Sequence, residues 1–163
     1  MEGSTKATLE FHNIRVFGHP EPEASRNVVL EREIPSDAAL IGALVVRVVE
    51  ACRSEGLFPD DGEAAQSATC LEEALRNAIA HGNGNDFSKK VQVQVFVKGA
   101  EWGYTVQDEG QGFNLLQCMG RIVDDAPLRE YGRGLRIISH YMDTVEYFEG
   151  GAFLVMTKKM ESE

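Results

Sequence analysis

Valines at 91, 93, 95 and 97 alternate with Gln92, Gln94, Phe96 and Lys98, the two-residue period of a strand with one buried face. Gly99-Ala100 then turns the chain into Glu101 to Gln107, where Trp102, Tyr104 and Val106 share a side, so the pair reads as an antiparallel hairpin. Upstream, Val28, Leu30 and Ile34 place a strand that stops at Pro35, and Thr8 to Phe17 alternates more loosely. Elsewhere the period changes to that of a helix. Leu40, Leu44, Val45, Val48 and Cys52 predict one helix, capped by Ser36 or Asp37 and ended by Gly56. Asp60 or Asp61 can cap a second, with Ala64, Ala68, Leu71, Leu75, Ala78 and Ile79 on its packing side. Its other arc carries Gln66, Thr69, Glu73, Asn77 and Ala80, and Gly82 ends it in loop residues HGNGND. Leu135, Ile138 and Met142 mark a third helix opening at Gly132-Arg133-Gly134. Val145 to Phe148, a Gly150-Gly151 turn and Ala152 to Lys158 suggest a closing hairpin. The pattern predicts one α+β domain: a two-layer sandwich in which helices cover one face of a mostly antiparallel sheet.

The 163 residues suffice for one domain with a sizeable core. Residues 1 to 27, with two prolines in GHPEPEAS, read as an N-terminal extension before a domain at 28 to 159. The longest apolar run, Ala38 to Val49, is broken by Gly42 and Arg47 and is too short to span a bilayer. The N-terminus does not look like a signal peptide, and Cys52, Cys70 and Cys118 form no disulfide framework or zinc pattern, so the cytoplasm is the expected location. A formal charge of −10 argues against nucleic acid as the main partner, because phosphate backbones demand basic surface.

Three short stretches carry candidate chemistry. Glu73 and Asn77, four apart on one helix, stack a carboxylate beside an amide; an ordinary solvated face would show the same pair. Asp108-Glu109-Gly110-Gln111-Gly112 puts an acceptor at a strand end, with glycines that let a flat ligand approach the backbone. A tight turn also explains it. Gly132-Arg133-Gly134 offers backbone amides at a helix start, where a phosphate is favoured. The glycine-rich phosphate loop GxxxxGK[ST] and the GxGxxG fingerprint are both missing, and the four histidines show no ligand spacing.

The order ExxxNxxxHG, DxGxGF, GRGL is the informative feature. In EALRNAIAHG (73 to 82), DEGQGF (108 to 113) and GRGLRIISHYMD (132 to 143), the sequence resembles the Bergerat-type ATPases of gyrase, sensor histidine kinases and mismatch-repair proteins. Within that superfamily it is most similar to the bacterial anti-sigma factor serine/threonine kinases, over roughly residues 28 to 159. The resemblance implies ATP and Mg²⁺ as cofactors, with Asn77 on the metal and Glu73 as general base toward a protein serine or threonine. It implies Asp108 on the adenine amine, Gly110 and Gly112 beside the base, and Gly132, Arg133, Gly134 and Leu135 along the phosphates. Residues 113 to 131 would form a lid, and His81 would either touch nucleotide or serve as a capping or core histidine. A small antagonist protein as substrate, a sigma factor as second partner, and a homodimer are also implied.

Two departures bear on this. Ala152 stands where the family commonly has Thr or Ser, so a hydroxyl near the adenine is missing. Glu130 stands where some members place an Arg for phosphate and sigma-factor contact. A non-catalytic ATP-sensing switch would keep Asp108 and the glycines and have no use for Glu73. The catalytic half of a histidine kinase would need a phospho-accepting helical hairpin, which the proline-broken first 27 residues do not supply.

Overall fold

The computed structural model describes residues 13–18, 26–111, 130–148 and 152–160. Six strands form one sheet in the order β1-β5-β6-β4-β3-β2. The strands are β1 (Ile14–Val16), β2 (Asn27–Pro35), β3 (Lys90–Lys98), β4 (Glu101–Gln107), β5 (Thr144–Phe148) and β6 (Phe153–Lys159). Every pairing is antiparallel except β1 with β5, where Ile14, Arg15 and Val16 lie opposite Val145, Glu146 and Tyr147. Among the described residues three helices, α1 (Ile41–Ser54), α2 (Asp61–Asn77) and α3 (Glu130–Tyr141), pack on one face, so the α+β sandwich expected from the sequence is the fold that forms.

Alternation along the strands sorts the two faces. Val91, Val93, Val95, Trp102, Tyr104, Val106, Leu154 and Met156 point toward the helices and join Ile41, Leu44, Val48, Leu71, Leu75 and Ile138 in the main core. Phe96, Phe148 and Val155 point the other way and form a second, smaller cluster. There Phe17 stacks on Phe148 with ring centres 5.1 Å apart, and the Arg26 guanidinium sits 4.7 Å above the Phe96 ring.

Helix α2 lies between α1 and α3, which widens its buried arc beyond the sequence reading. Ser67, Cys70 and Ala74 are buried as well as Ala64, Leu71 and Leu75. The Ser67 hydroxyl is satisfied by the Tyr104 hydroxyl, as a buried polar group requires. Burial pushes the Cys52 and Cys70 thiols up to about 12, so both are protonated packing residues. Asp60 caps α2 by accepting the Glu63 N–H at 2.8 Å. Of the two candidate caps upstream, Asp37 accepts the Ala39 N–H at 3.0 Å, and the first turn is a 3₁₀ turn (Ala38–Leu40) ahead of α1.

Three local features depart from the periodicity. A bulge between Val28 and Leu30 shifts the register of β2, leaving Val28 exposed while Val29 and Leu30 pack on the core. Beyond Asn77 the second helix widens into a π turn, Ala78–Gly82, closed by the Asn83 N–H on the Ala78 carbonyl at 2.8 Å. The third feature is β1 itself. It lies inside the segment read as an extension, yet it adds to the far edge of the sheet.

Asn13 anchors that addition. Its amide nitrogen donates to the carbonyls of Ser139 and Met142, both at 2.8 Å, and its oxygen accepts from the Ser139 hydroxyl at 2.7 Å. The C-terminal end of α3 is thereby tied to the strand that precedes the domain. Among the described residues no helix is long and apolar enough to cross a membrane. Replacing Asn13 with Ala removes three hydrogen bonds and should cost about 1–3 kcal/mol of unfolding free energy. The measurement is the urea midpoint at constant m-value; an unmoved midpoint would show that the anchor carries no stability.

Candidate functional site

The first half of the site is the contact between α2 and α3. A Cβ placed on Gly134 would stand 2.7 Å from Glu73 Oε2 and 3.5 Å from Asn77 Nδ2, so with glycine here Glu73 and Asn77 both lie close against α3. Glu73 keeps 15% of its side chain exposed and has Arg76 beside it at 3.8 Å. Arg76 is half exposed and also binds Glu72 at 2.6 Å, so its pull on Glu73 is screened by water. Asn77 is buried, and its Nδ2 has no hydrogen-bond partner among the described residues. Buried amides are almost always paired, and which amide atom is oxygen is itself decided by the neighbours it finds.

The second half is built around Asp108, at the end of β4. Its N–H donates to the Ala152 carbonyl at 2.9 Å, and its Oδ1 accepts the Gly110 N–H at 2.8 Å. The carboxylate presses on Gly82: a Cβ there would lie 2.2 Å from Asp108 Oδ2. A Cβ on Gly110 would lie 2.0 Å from the Gly82 carbonyl oxygen. Asp108 is therefore clasped between two glycines, buried but aimed by backbone on both sides.

The π turn joins the halves. An ordinary helix would stack His81 one turn beyond Asn77; the wider turn leaves His81 exposed and brings Gly82 against Asp108. Arg133 is exposed on α3, whereas Leu135 is fully buried in the main core behind the crossing. The sequence placed the start of α3 at Gly132; the helix already includes Glu130, so the glycines lie inside its first turns. Gly112 and residues 113–129 of the expected lid lie outside the described residues. Ala152, which stands where the family commonly has Thr or Ser, is buried and accepts the Asp108 N–H.

Sequence reasoning missed Asn83, which it read as loop chemistry. Asn83 is only 3% exposed and makes hydrogen bonds to three separate segments. Its side-chain type gave no signal, because Asn is also the ordinary residue of turns.

The described residues hold no group of three or more His, Cys, Asp or Glu suited to a metal ion. A cation at Asn77 would take most of its oxygens from a bound phosphate compound and from water, which suits magnesium.

A helix-roofed antiparallel sheet that brings Glu73, Asn77 and Gly134 together, with Asp108 clasped at a strand end, is the framework of a nucleotide-binding ATPase-type domain. The model of the histidine kinase-like ATPase domain matches residues 34–158, and the chain belongs to that family. Within it the chain is similar to the anti-sigma F factor of Oceanobacillus iheyensis, 31% identical over 119 residues that cover 70% of this chain and 82% of the relative. It is similar also to the anti-sigma F factor of Clostridium perfringens, 32% identical over 111 residues (65% and 79%). That of Bacillus thuringiensis is 32% identical over 109 residues (66% and 75%).

The two glycine contacts should respond differently to a methyl group. Gly110→Ala forces a Cβ onto backbone, which cannot swing away, and should cost about 1–3 kcal/mol in denaturant unfolding. Gly134→Ala meets the mobile end of Glu73 and gains helix propensity, so its stability should stay within about 1 kcal/mol of the parent. Equal losses in the two variants would show that the Gly82–Gly110 contact is not rigid.

Proposed function

We propose that this protein is an ATP-binding anti-sigma regulator that phosphorylates a serine or threonine of a small antagonist protein. The observation that carries the reading is the crossing at Gly134, which holds the Glu73 carboxylate beside the Asn77 amide, whose nitrogen has no hydrogen-bond partner among the described residues. The naming of its relatives as anti-sigma F factors supports the choice of partner.

Bound ATP with Mg²⁺ would supply the transferable phosphoryl group and neutralise its charge. In this reading Asn77 turns its amide oxygen to the cation, and Asp108 accepts a hydrogen bond from the exocyclic amine of adenine. Gly82 and Gly110 keep the backbone low beside the base. Gly132, Arg133 and Gly134 face the phosphates, with backbone N–H groups of the early α3 turns and the Arg133 guanidinium as donors. Leu135 supports this wall from the core. Glu73 takes the proton from the attacking hydroxyl, a task that needs an ionised carboxylate within hydrogen-bond reach of the substrate. In this reading His81, exposed beside Gly82, meets the nucleotide from the rim. A sigma factor is the second partner, bound by a homodimer in the cytoplasm, and the nucleotide domain spans 28 to 159.

Two variants test the roles separately. Glu73→Ala should keep ATP affinity within a few-fold and lower phosphate transfer to the antagonist by about 10²–10⁴. Asn77→Ala should abolish the magnesium dependence of nucleotide binding in calorimetry. Normal transfer by Glu73→Ala would remove the assigned base. Tight ATP binding with no transfer to any antagonist, even in the parent protein, would leave a nucleotide-sensing switch instead of a kinase.

A further inference from the structure

Asn83 is the best-connected polar side chain near the site, and none of the roles assigned above uses it. It follows Gly82 directly and lies where three segments meet. Its Nδ2 donates to the Ser36 hydroxyl at 2.8 Å and to the Lys90 carbonyl at 3.0 Å. Its Oδ1 accepts the backbone N–H of Glu109 at 2.8 Å. Ser36 in turn donates to the Lys89 carbonyl at 2.7 Å, and the Glu109 carboxylate accepts the Lys90 N–H at 2.5 Å. The end of β2, the start of β3 and the turn after β4 thus converge on one amide.

The position of that amide matters because of what stands on either side of it. Asp108 lies between Gly82, which precedes Asn83, and the Glu109 peptide, which Asn83 holds. We infer that Asn83 is a positioning residue for base recognition: it fixes the two backbone segments that clasp Asp108, and so sets where the carboxylate meets an exocyclic amine of a bound purine. The inference rests on the reading of Asp108 as the adenine contact.

The chemistry needs an amide and not merely a polar group. Ser36 and Lys90 require a donor, Glu109 N–H requires an acceptor, and one planar side chain supplies both ends. An Asp at 83 would keep the acceptor and face the Lys90 carbonyl oxygen with a charge. An Ala would leave the Glu109 N–H and the Lys90 carbonyl without this partner, and both segments would be free to shift. A shift of either backbone moves Asp108, because both touch it directly.

The test compares ATP with purine riboside triphosphate, which lacks the 6-amino group, by calorimetry with magnesium on the full chain. The parent protein should prefer ATP. Asn83→Ala should shrink that preference by about ten-fold, the size of one lost hydrogen bond to a charged group, with the analogue's affinity changed less than about two-fold. Ser36→Ala removes one of the two acceptors and keeps the other, so it should narrow the preference by about three-fold and decide the matter if Asn83→Ala does not fold.

A purely architectural role for Asn83 predicts a different pattern: equal losses for both nucleotides, or a lowered melting temperature with the parent preference intact. Either result overturns the inference while leaving the ATP reading in place. A parent protein that binds both nucleotides equally overturns the role of Asp108 and this inference together. One that binds neither overturns the ATP reading and the inference with it.

Discussion

The distance at which α2 and α3 cross limits everything around it. With a hydrogen in place of a side chain at Gly134, Glu73 and Asn77 fit against the backbone of α3; with anything larger, a carboxylate must move or the helices must part. The crossing is held from below by Leu135, Ile138 and Leu71, all fully buried, and from one end by Asn13. The apolar packing is therefore what presents the polar pair. Neither helix could offer that pair alone, since a carboxylate and an amide one turn apart on an isolated helix would both be hydrated.

A second constraint operates across the sheet. Asp108 leaves β4 at a point where β6 lies on one side and the π turn on the other, and each contributes a backbone contact. Glycine at 110 is needed because its backbone meets the Gly82 carbonyl, and glycine at 82 because the Asp108 carboxylate packs directly against its backbone. The two halves of the site are thus joined by five residues, Ala78–Gly82, that end the α2 segment and start the loop.

Much of this could be read from residue order. The valine alternation of β3, the β3–β4 hairpin, the Asp60 cap and the apolar stripe of α1 depend on neighbours close in sequence, and they formed as the pattern indicated. The stretches holding Glu73, Asn77, Asp108 and Gly134 stood out because residue types and spacing repeat a known arrangement, and the fold brings Glu73, Asn77 and Gly134 together. Features set by distant partners were not legible. Asn83 meets Ser36 and Glu109 across 47 and 26 positions, and Asn13 meets Ser139 across 126. The parallel pairing of β1 with β5 belongs to the same class. The β2 bulge and the π turn failed for another reason: each is one residue out of step, which a periodic reading averages away.

That surplus residue in the second helix has a price. Deleting one position between 78 and 82 would let ordinary helical hydrogen bonds close, and the local backbone would gain strength. It would also rotate everything downstream by about 100°, carrying Gly82 off the aspartate and Asn83 away from its three anchors. In these five residues the Gly82–Asp108 contact and helix quality are opposed, so a drift toward greater thermal robustness here would come at the expense of that contact.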